Sequence, residues 1–201
     1  MKPIDDPQIE KVLRRLEAED AEDRRLLNRP REERMFTLHP DTSRLLRILI
    51  QSTGAQQLVE IGVAYGYSTI WLAHVSRLVG GRLSSLEINP KLIEIARQNV
   101  EEAGLSAQVD FVLGDARQTI ETVAEPFDFV LLDCWEWLYV EMLDILAPRL
   151  RPGALLVADN VHPGQEDSDR FVEAVERHPL FEAIGVPIGR DIQVCMRKLG
   201  S

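Results

Sequence analysis

Apolar residues recur along this chain in two rhythms, helical spacing and short unbroken runs, and the two alternate from residue 41 onward. Thr42 to Thr53 places Leu45, Leu46, Leu49 and Ile50 on one side, as an amphipathic helix requires. Gln57–Ile61 reads as a short apolar strand and Tyr67–Val79 as a helix; Arg82–Ile88 is again a strand. Asn89 and Pro90 then have the chemistry of a helix start, a side-chain cap followed by a proline whose missing N–H costs nothing there, and Gly104 is suited to end that helix. Further on, Val109–Leu113, Phe127–Asp133 and Ala154–Asp159 read as strands. Arg117–Val123, Trp137–Leu150 and Asp167–Arg177 read as helices, the second stopped by Arg151-Pro152-Gly153. Phe181–Ile188 and Ile192–Arg197 close the pattern as a hairpin.

Strands alternating with helices predict an α/β, doubly wound fold. Its sheet is mostly parallel and seven-stranded, covered on both faces, and ends in the antiparallel hairpin. Residues 1–34 carry dense charge of both signs, yet Ile9, Val12, Leu13 and Leu16 keep helical spacing. They predict a helical segment packed on a main domain spanning 35–201, with Leu26 and Leu27 in a second helix before Pro30.

In a parallel sheet of this kind ligands bind at the carboxyl ends of the strands. Those ends carry Glu60 and Gly62, then Glu87, then Gly114 and Asp115, then Asp133, then Asp159 and Asn160. An acidic or amide group closes every one of them, which makes this edge the candidate site. The stretch "VEIGVAYGYS" (59–68) is a strand, a glycine turn and a helix start. Its glycines, Gly62 and Gly66, lack the G-x-G-x-x-G spacing of dinucleotide sites. Such a turn lets a ligand approach the backbone, and free N–H groups at a helix start suit a carboxylate. Glu87 is placed to accept from both hydroxyls of a ribose, and Asp115 to take an adenine amino group. Ser68 and Asp115 also suit helix caps, and Tyr67 also suits the core.

Composition narrows the partners. A net charge of −10 repels nucleic acid and anionic membrane. No apolar run approaches the ~20 residues of a membrane span, and "MKPIDDPQIE" lacks a signal-peptide core. Cys134 and Cys195 lie in apolar contexts, so a cytoplasmic protein with two reduced thiols is expected.

The segments "EIGVAYGYSTIWLA", "LEINP", "GDA", "FDFVLLD" and "VADN" stand in the order and spacing of the class I S-adenosylmethionine methyltransferases. The chain resembles, more narrowly, the bivalent-metal O-methyltransferases of the catechol and caffeoyl-CoA type, over roughly residues 35–198. The resemblance implies a Rossmann-like methyltransferase fold, a homodimer, and methyl transfer to a hydroxyl of a small, aromatic acceptor. It places Glu60, Gly62, Tyr67 and Ser68 at the methionine end of S-adenosylmethionine, Glu87 at the ribose, and Asp115 with Ala116 at the adenine. Thr37, in "MFTLHPD", would lie over the site, and Asp133 would also border the cofactor. Asp133, Asp159 and Asn160 fall where the family holds its metal, Mg²⁺ or else Mn²⁺ or Ca²⁺; three oxygen donors suit such hard cations.

The chain departs from its relatives at one position. Where they commonly read D-A-D-K with a tyrosine three residues on, it reads "DCWE" with Tyr139, so Glu136 stands where a catalytic lysine is usual. A glutamate pKa of ~4.3 lies about six units below that of a phenol, a poor match for a base unless its surroundings raise it. Asp133-x-x-Glu136 also has the spacing of a helix capping box. Glu136 is thus a candidate cap, a metal or substrate contact, or a base, and His162 is a second candidate base. Trp135 and Trp137 suit an aromatic acceptor pocket, the core or a dimer contact, and the segment after "DN" lacks the tryptophan common in relatives. Two other readings stay open: a metal-independent methyltransferase acting on another O or N nucleophile, and a non-catalytic S-adenosylmethionine-binding protein.

Overall fold

The computed structural model describes residues 4–26, 28, 30 and 34–200. Seven strands, β1 (Gln57–Ile61), β2 (Arg82–Glu87), β3 (Val109–Leu113), β4 (Phe127–Leu132), β5 (Leu150–Ala158), β6 (Phe181–Val186) and β7 (Ile192–Arg197), form one sheet in the order β3-β2-β1-β4-β5-β7-β6. The first five are mutually parallel, and β7 runs antiparallel to β5 and β6. Among the described residues seven α-helices accompany them: α1 (Pro7–Asp23), α2 (Pro40–Thr53), α3 (Tyr67–Val79), α4 (Pro90–Glu102), α5 (Ala116–Thr119), α6 (Tyr139–Leu146) and α7 (Glu166–Arg177).

The strands are apolar throughout because both faces of the sheet are covered, and alternate residues serve opposite faces. Leu58, Phe129, Leu131, Leu155 and Val157 pack with α1, α2 and α3. Val59, Val130, Leu132, Leu156 and Ala158 pack with α6 and α7. Ile9, Val12, Leu13 and Leu16 of α1 belong to the first of these cores, so the amphipathic stripe near the N-terminus is buried. Asp6 caps α1 through the Gln8 and Ile9 N–H groups, and Asn89 caps α4 before Pro90, as the spacing anticipates.

Several boundaries differ from the sequence reading. Leu26 lies outside any helix and is half exposed, and Leu27 lies outside the described residues. The helix expected over Trp137–Leu150 is a 3-10 turn (Glu136–Leu138), α6, and a second 3-10 turn (Ala147–Arg149). Arg151-Pro152-Gly153 does not precede β5 but lies inside it. The pairing with β4 shifts register between Phe127 and Phe129, and this irregularity absorbs a proline that has no N–H to donate. Among the described residues no helix is long and apolar enough to cross a membrane, and Cys134 and Cys195 are free thiols.

Strand order reverses at β1, which pairs with β2 on one side and β4 on the other. Just beyond that pair Gly62 adopts φ +95°, and a Cβ there would collide with the carbonyl oxygen of Asp133. Gly62→Ala should therefore combine a strained φ with a backbone clash and cost about 2–4 kcal/mol. Urea unfolding measures it; an unchanged midpoint would mean that the two strand ends separate easily.

Candidate functional site

The carboxyl ends of the strands open into a cavity of about 690 Å³. One half is bordered by the glycine turn Gly62–Gly66, Glu87, Asp115 and Ala116. The other is bordered by Asp133, Glu136, Asn160 and His162. Thr37 and its neighbours form a strap along the rim. Among the described residues four non-glycines have left-handed backbone: Phe36, Ala64, Asn160 and Asp191. The first three line the cavity and the fourth follows Arg190, which does too. Strain of this kind persists only where surrounding structure imposes it, and here it is confined to one edge.

In the first half, Glu87 holds the glycine turn. Its Oε2 accepts from the N–H groups of Val63 and Ala64, both at 3.1 Å, and its Oε1 accepts from Asn89 N at 2.9 Å. A carboxylate accepts about four hydrogen bonds, so capacity remains for a ligand hydroxyl. Asp115 lines the cavity but also caps α5 through Arg117 N and takes three bonds from the Arg117 guanidinium, two of them shared by Nε, which holds its carboxyl below the ordinary range. Any ligand amino group would share it with Arg117. Tyr67 lines the cavity, yet its hydroxyl donates to Glu17 of α1 at 2.7 Å. Thr37 is held to the same helix: Thr37 N donates to Asp20 at 3.4 Å and Met35 N to Asp23 at 3.2 Å. These α1 carboxylates give no sign in the sequence, because they sit in a run of mixed charge.

Glu60 does not reach the cavity. It is fully buried beneath the glycine turn and accepts from Ser68 at 2.5 Å, and from Thr69 and Ser85 at 2.7 Å. It holds Ser68, which does line the cavity.

In the second half, Asp133 N–H donates to Ile61 O, and Asp159 N–H to Leu132 O. These bonds set the two carboxylates side by side past β4 and β5. Asn160 Nδ2 donates to Asp133 Oδ1 at 3.2 Å, and Tyr139 donates to the Asp159 carbonyl at 2.9 Å. Burial raises both carboxyls, Asp159 to about 6; the charge of Asp159 raises Asp133 further, and the Arg190 charge opposes the rise in both. Asp159 Oδ1 is buried without a hydrogen-bond partner, an acceptor that a cation would satisfy. Among the described residues no three His, Cys, Asp or Glu side chains assemble as a metal-binding group. The candidate set has two carboxylates, and its third member, Asn160, has its amide nitrogen turned to Asp133.

Asp133 does not cap the following helix. Trp135 occupies that cap position and Glu136 begins the 3-10 turn, so the capping-box reading fails; Glu136 lines the cavity instead. Trp135 and Trp137 also line it and are 38% and 58% exposed, which removes them from the core. His162 lines it with Nδ1 3.6 Å from Asp191 Oδ2. Sequence reasoning missed Arg190, whose only signal was its place in the hairpin turn.

A profile of the O-methyltransferase family matches residues 17–196. The chain is 37% identical to a catechol O-methyltransferase of Niastella koreensis, over 63% of this chain and 58% of that one. It is 35% identical to a catechol O-methyltransferase of Mycobacterium tuberculosis, over 73% and 72%. The chain thus spans less than two thirds of the first relative's length. A crystal structure of the O-methyltransferase from Bacillus cereus in complex with SAH superposes with a TM-score of 0.79 at 28% identity, covering 94% of this chain and 91% of that one.

Glu60 gives the site a pH-dependent stability. Burial lifts its carboxyl from 4.5 to about 7 against three hydroxyl donors that lower it. Its contribution is complete below pH 4.5 and is lost as pH rises through 7, because the folded state then holds a buried charge. That difference corresponds to about 3 kcal/mol. Glu60→Gln cannot ionise, so its stability relative to wild type should improve by that order between pH 4.5 and 8. Urea midpoints at both pH values test this; a constant difference would place the Glu60 carboxyl near its ordinary value.

Proposed function

Because the chain belongs to the O-methyltransferase family, we propose that it transfers a methyl group from S-adenosylmethionine to a hydroxyl of a small aromatic acceptor held beside a divalent metal. The observation that carries this reading is a single cavity with two chemically distinct halves meeting at Gly62 and Asp133. When bound, S-adenosylmethionine supplies a methyl on a positively charged sulfonium, and the metal supplies a Lewis acid that lowers the hydroxyl pKa.

The chain's own part is to bind and orient. Gly62 and the N–H groups at the start of α3, with Ser68 and Tyr67, would receive the methionine end. Glu87 would receive the ribose, Asp115 and Ala116 the adenine, and the strap at Thr37 would exclude water. Asp133, Asp159 and Asn160 would hold Mg²⁺ or Mn²⁺. The unsatisfied Asp159 Oδ1 and the paired, buried carboxyls fit a hard dication. Trp135 and Trp137 would flank the acceptor ring, with Glu136 and His162 as its candidate proton acceptors. The relatives' names support a catechol-like acceptor. Proximity and preorganised charge are the main sources of rate in such a transfer. A homodimer in the cytoplasm completes this reading; sedimentation and fractionation check those two points.

One observation favours a metal-free variant: Asp133 already has the Asn160 amide as a partner, and Arg190 already sets a positive charge against both aspartates. Methyl transfer to catechol at Mg²⁺ saturation should fall about 10²-fold or more in Asp159→Ala and in Asp133→Ala, and should vanish in excess EDTA. Full activity in EDTA, with no heat on adding Mg²⁺ to the cofactor-bound protein, would establish the metal-free variant.

The strap generates a separate expectation. Asp20→Ala or Asp23→Ala leaves a buried N–H of the strap unpaired, and S-adenosylhomocysteine should bind about 10-fold more weakly. Calorimetry reads the change, and unaltered affinity would mean that the strap does not cover the ligand.

A further inference from the structure

Arg190 lies in the turn between β6 and β7, the one basic residue there, and it lines the acceptor half of the cavity. The turn is fixed on two sides. A Cβ at Gly189, which has φ +65°, would collide with Thr42 Oγ1 and His39 Cβ at the start of α2. On the other side Val161 N donates to Asp191 O at 3.0 Å, and Asp191 N closes the turn onto Ile188 O at 3.0 Å. Among the described residues Arg190 itself makes no hydrogen bond and no ion pair within 4 Å. Arg190 is a half-buried residue whose five guanidinium donors are thus held at the cavity wall without a hydrogen-bond partner from the protein. It is also the cation that position 136 lacks, since Glu136 adds a further carboxylate there.

The charges around it come from several elements. Asp133 and Glu136 follow β4, Asp159 and His162 follow β5, Asp191 shares its turn, and Arg34 of the strap and Arg117 of α5 line the same cavity. A neutral hydroxyl can donate to one of those carboxylates but makes no use of the guanidinium charge. An ionised one requires a cation, and a guanidinium stays charged at any working pH.

Resting on the methyltransferase reading, the geometry points to Arg190 as the residue that binds the acceptor's reacting hydroxyl in its ionised form. Arg190 takes no proton. The hydroxyl proton passes to solvent, directly or by way of Glu136 or His162. The oxygen then forms its bond to the methyl carbon as the carbon–sulfur bond breaks, its electron pair staying on sulfur to leave a neutral thioether. Arg190 is preorganised for the oxyanion by the two contacts that hold its turn.

The test uses the whole protein with S-adenosylhomocysteine bound, where no turnover occurs, and 4-nitrocatechol, whose colour reports its ionisation. It is run with Mg²⁺ and with EDTA. Bound to wild type, the probe should ionise at a pH about one to three lower than in free solution. Arg190→Gln should reverse most of that shift, and Arg190→Lys, which keeps the charge without the fork, should reverse part of it. With catechol at pH 7, kcat of Arg190→Gln should fall about 10²-fold with KM changed little, the loss shrinking as pH nears the acceptor's own pKa. A bound spectrum identical in wild type and Arg190→Gln overturns the inference while leaving the methyltransferase reading intact. So does an Arg190→Gln defect confined to KM for 3,4-dihydroxybenzoate, which would assign Arg190 to a ring carboxylate. Failure of wild type to bind the probe overturns both. Arg190→Lys serves as the conservative variant should Arg190→Gln unfold.

Discussion

The binding edge depends on how closely two strands approach beyond their last paired residues. Gly62 leaves β1 against the carbonyl of Asp133 leaving β4, and no side chain fits between them. The residue after β1, β3, β4 and β5 is also tied sideways to a neighbouring strand: Gly62 N to Leu86 O, Gly114 N to Glu87 O, Asp133 N to Ile61 O, Asp159 N to Leu132 O. These bonds continue the parallel ladder one step past the sheet. They are why acidic groups scattered over a hundred residues of sequence arrive along one line. The chain then departs to opposite faces on either side of Gly62, and the crevice is the space so opened.

What the sequence made legible was what repeats. Period and run length located β1, β3, β7 and α3 at their observed bounds, and the acidic strand ends marked the edge that opens into the cavity. Misreadings arose where one residue type serves two purposes. Glu60 ends a strand as Glu87 does, but its side chain is turned beneath the glycine turn and faces hydroxyls, not the cavity. The capping-box spacing at Asp133 was a coincidence of interval, since the chain takes two more residues to begin its helical turn. Pro152 and Gly153 looked like a stop and proved to be an irregularity inside β5. Relations made across the fold left no local trace: the hydrogen bonds of Glu17 with Tyr67 and of Asp20 and Asp23 with the strap, and the longer-range charge of Arg190 on the aspartates.

Buried carboxyls are the main electrostatic cost of this design, and the chain treats each differently. Glu60 has three hydroxyl donors, Asp133 one amide donor, and Asp159 one buried oxygen with none. Satisfaction declines from the layer beneath the turn to the layer that faces the cavity. A structural carboxyl gains from every donor, whereas a carboxyl meant for a ligand must keep acceptor capacity in reserve. The same gradient separates Glu87, with three backbone donors and capacity left, from Asp115, whose oxygens are largely committed to Arg117 and α5.

Placing the cation at residue 190 instead of 136 changes what controls it. A lysine in the turn after β4 would move with the strand that carries Asp133. Arg190 is placed by tertiary contacts, with Gly189 against His39 and Thr42 on one side and Asp191 against Val161 on the other. His39 is also where the strap along the cavity rim ends, because it caps α2 directly after the segment that holds Thr37. The cover of one half and the charge of the other thus share an anchor at the start of α2. The strap and the Arg190 turn thus rest on the same stretch, His39 to Thr42, while the floor at Gly62 joins the two halves of the cavity from below.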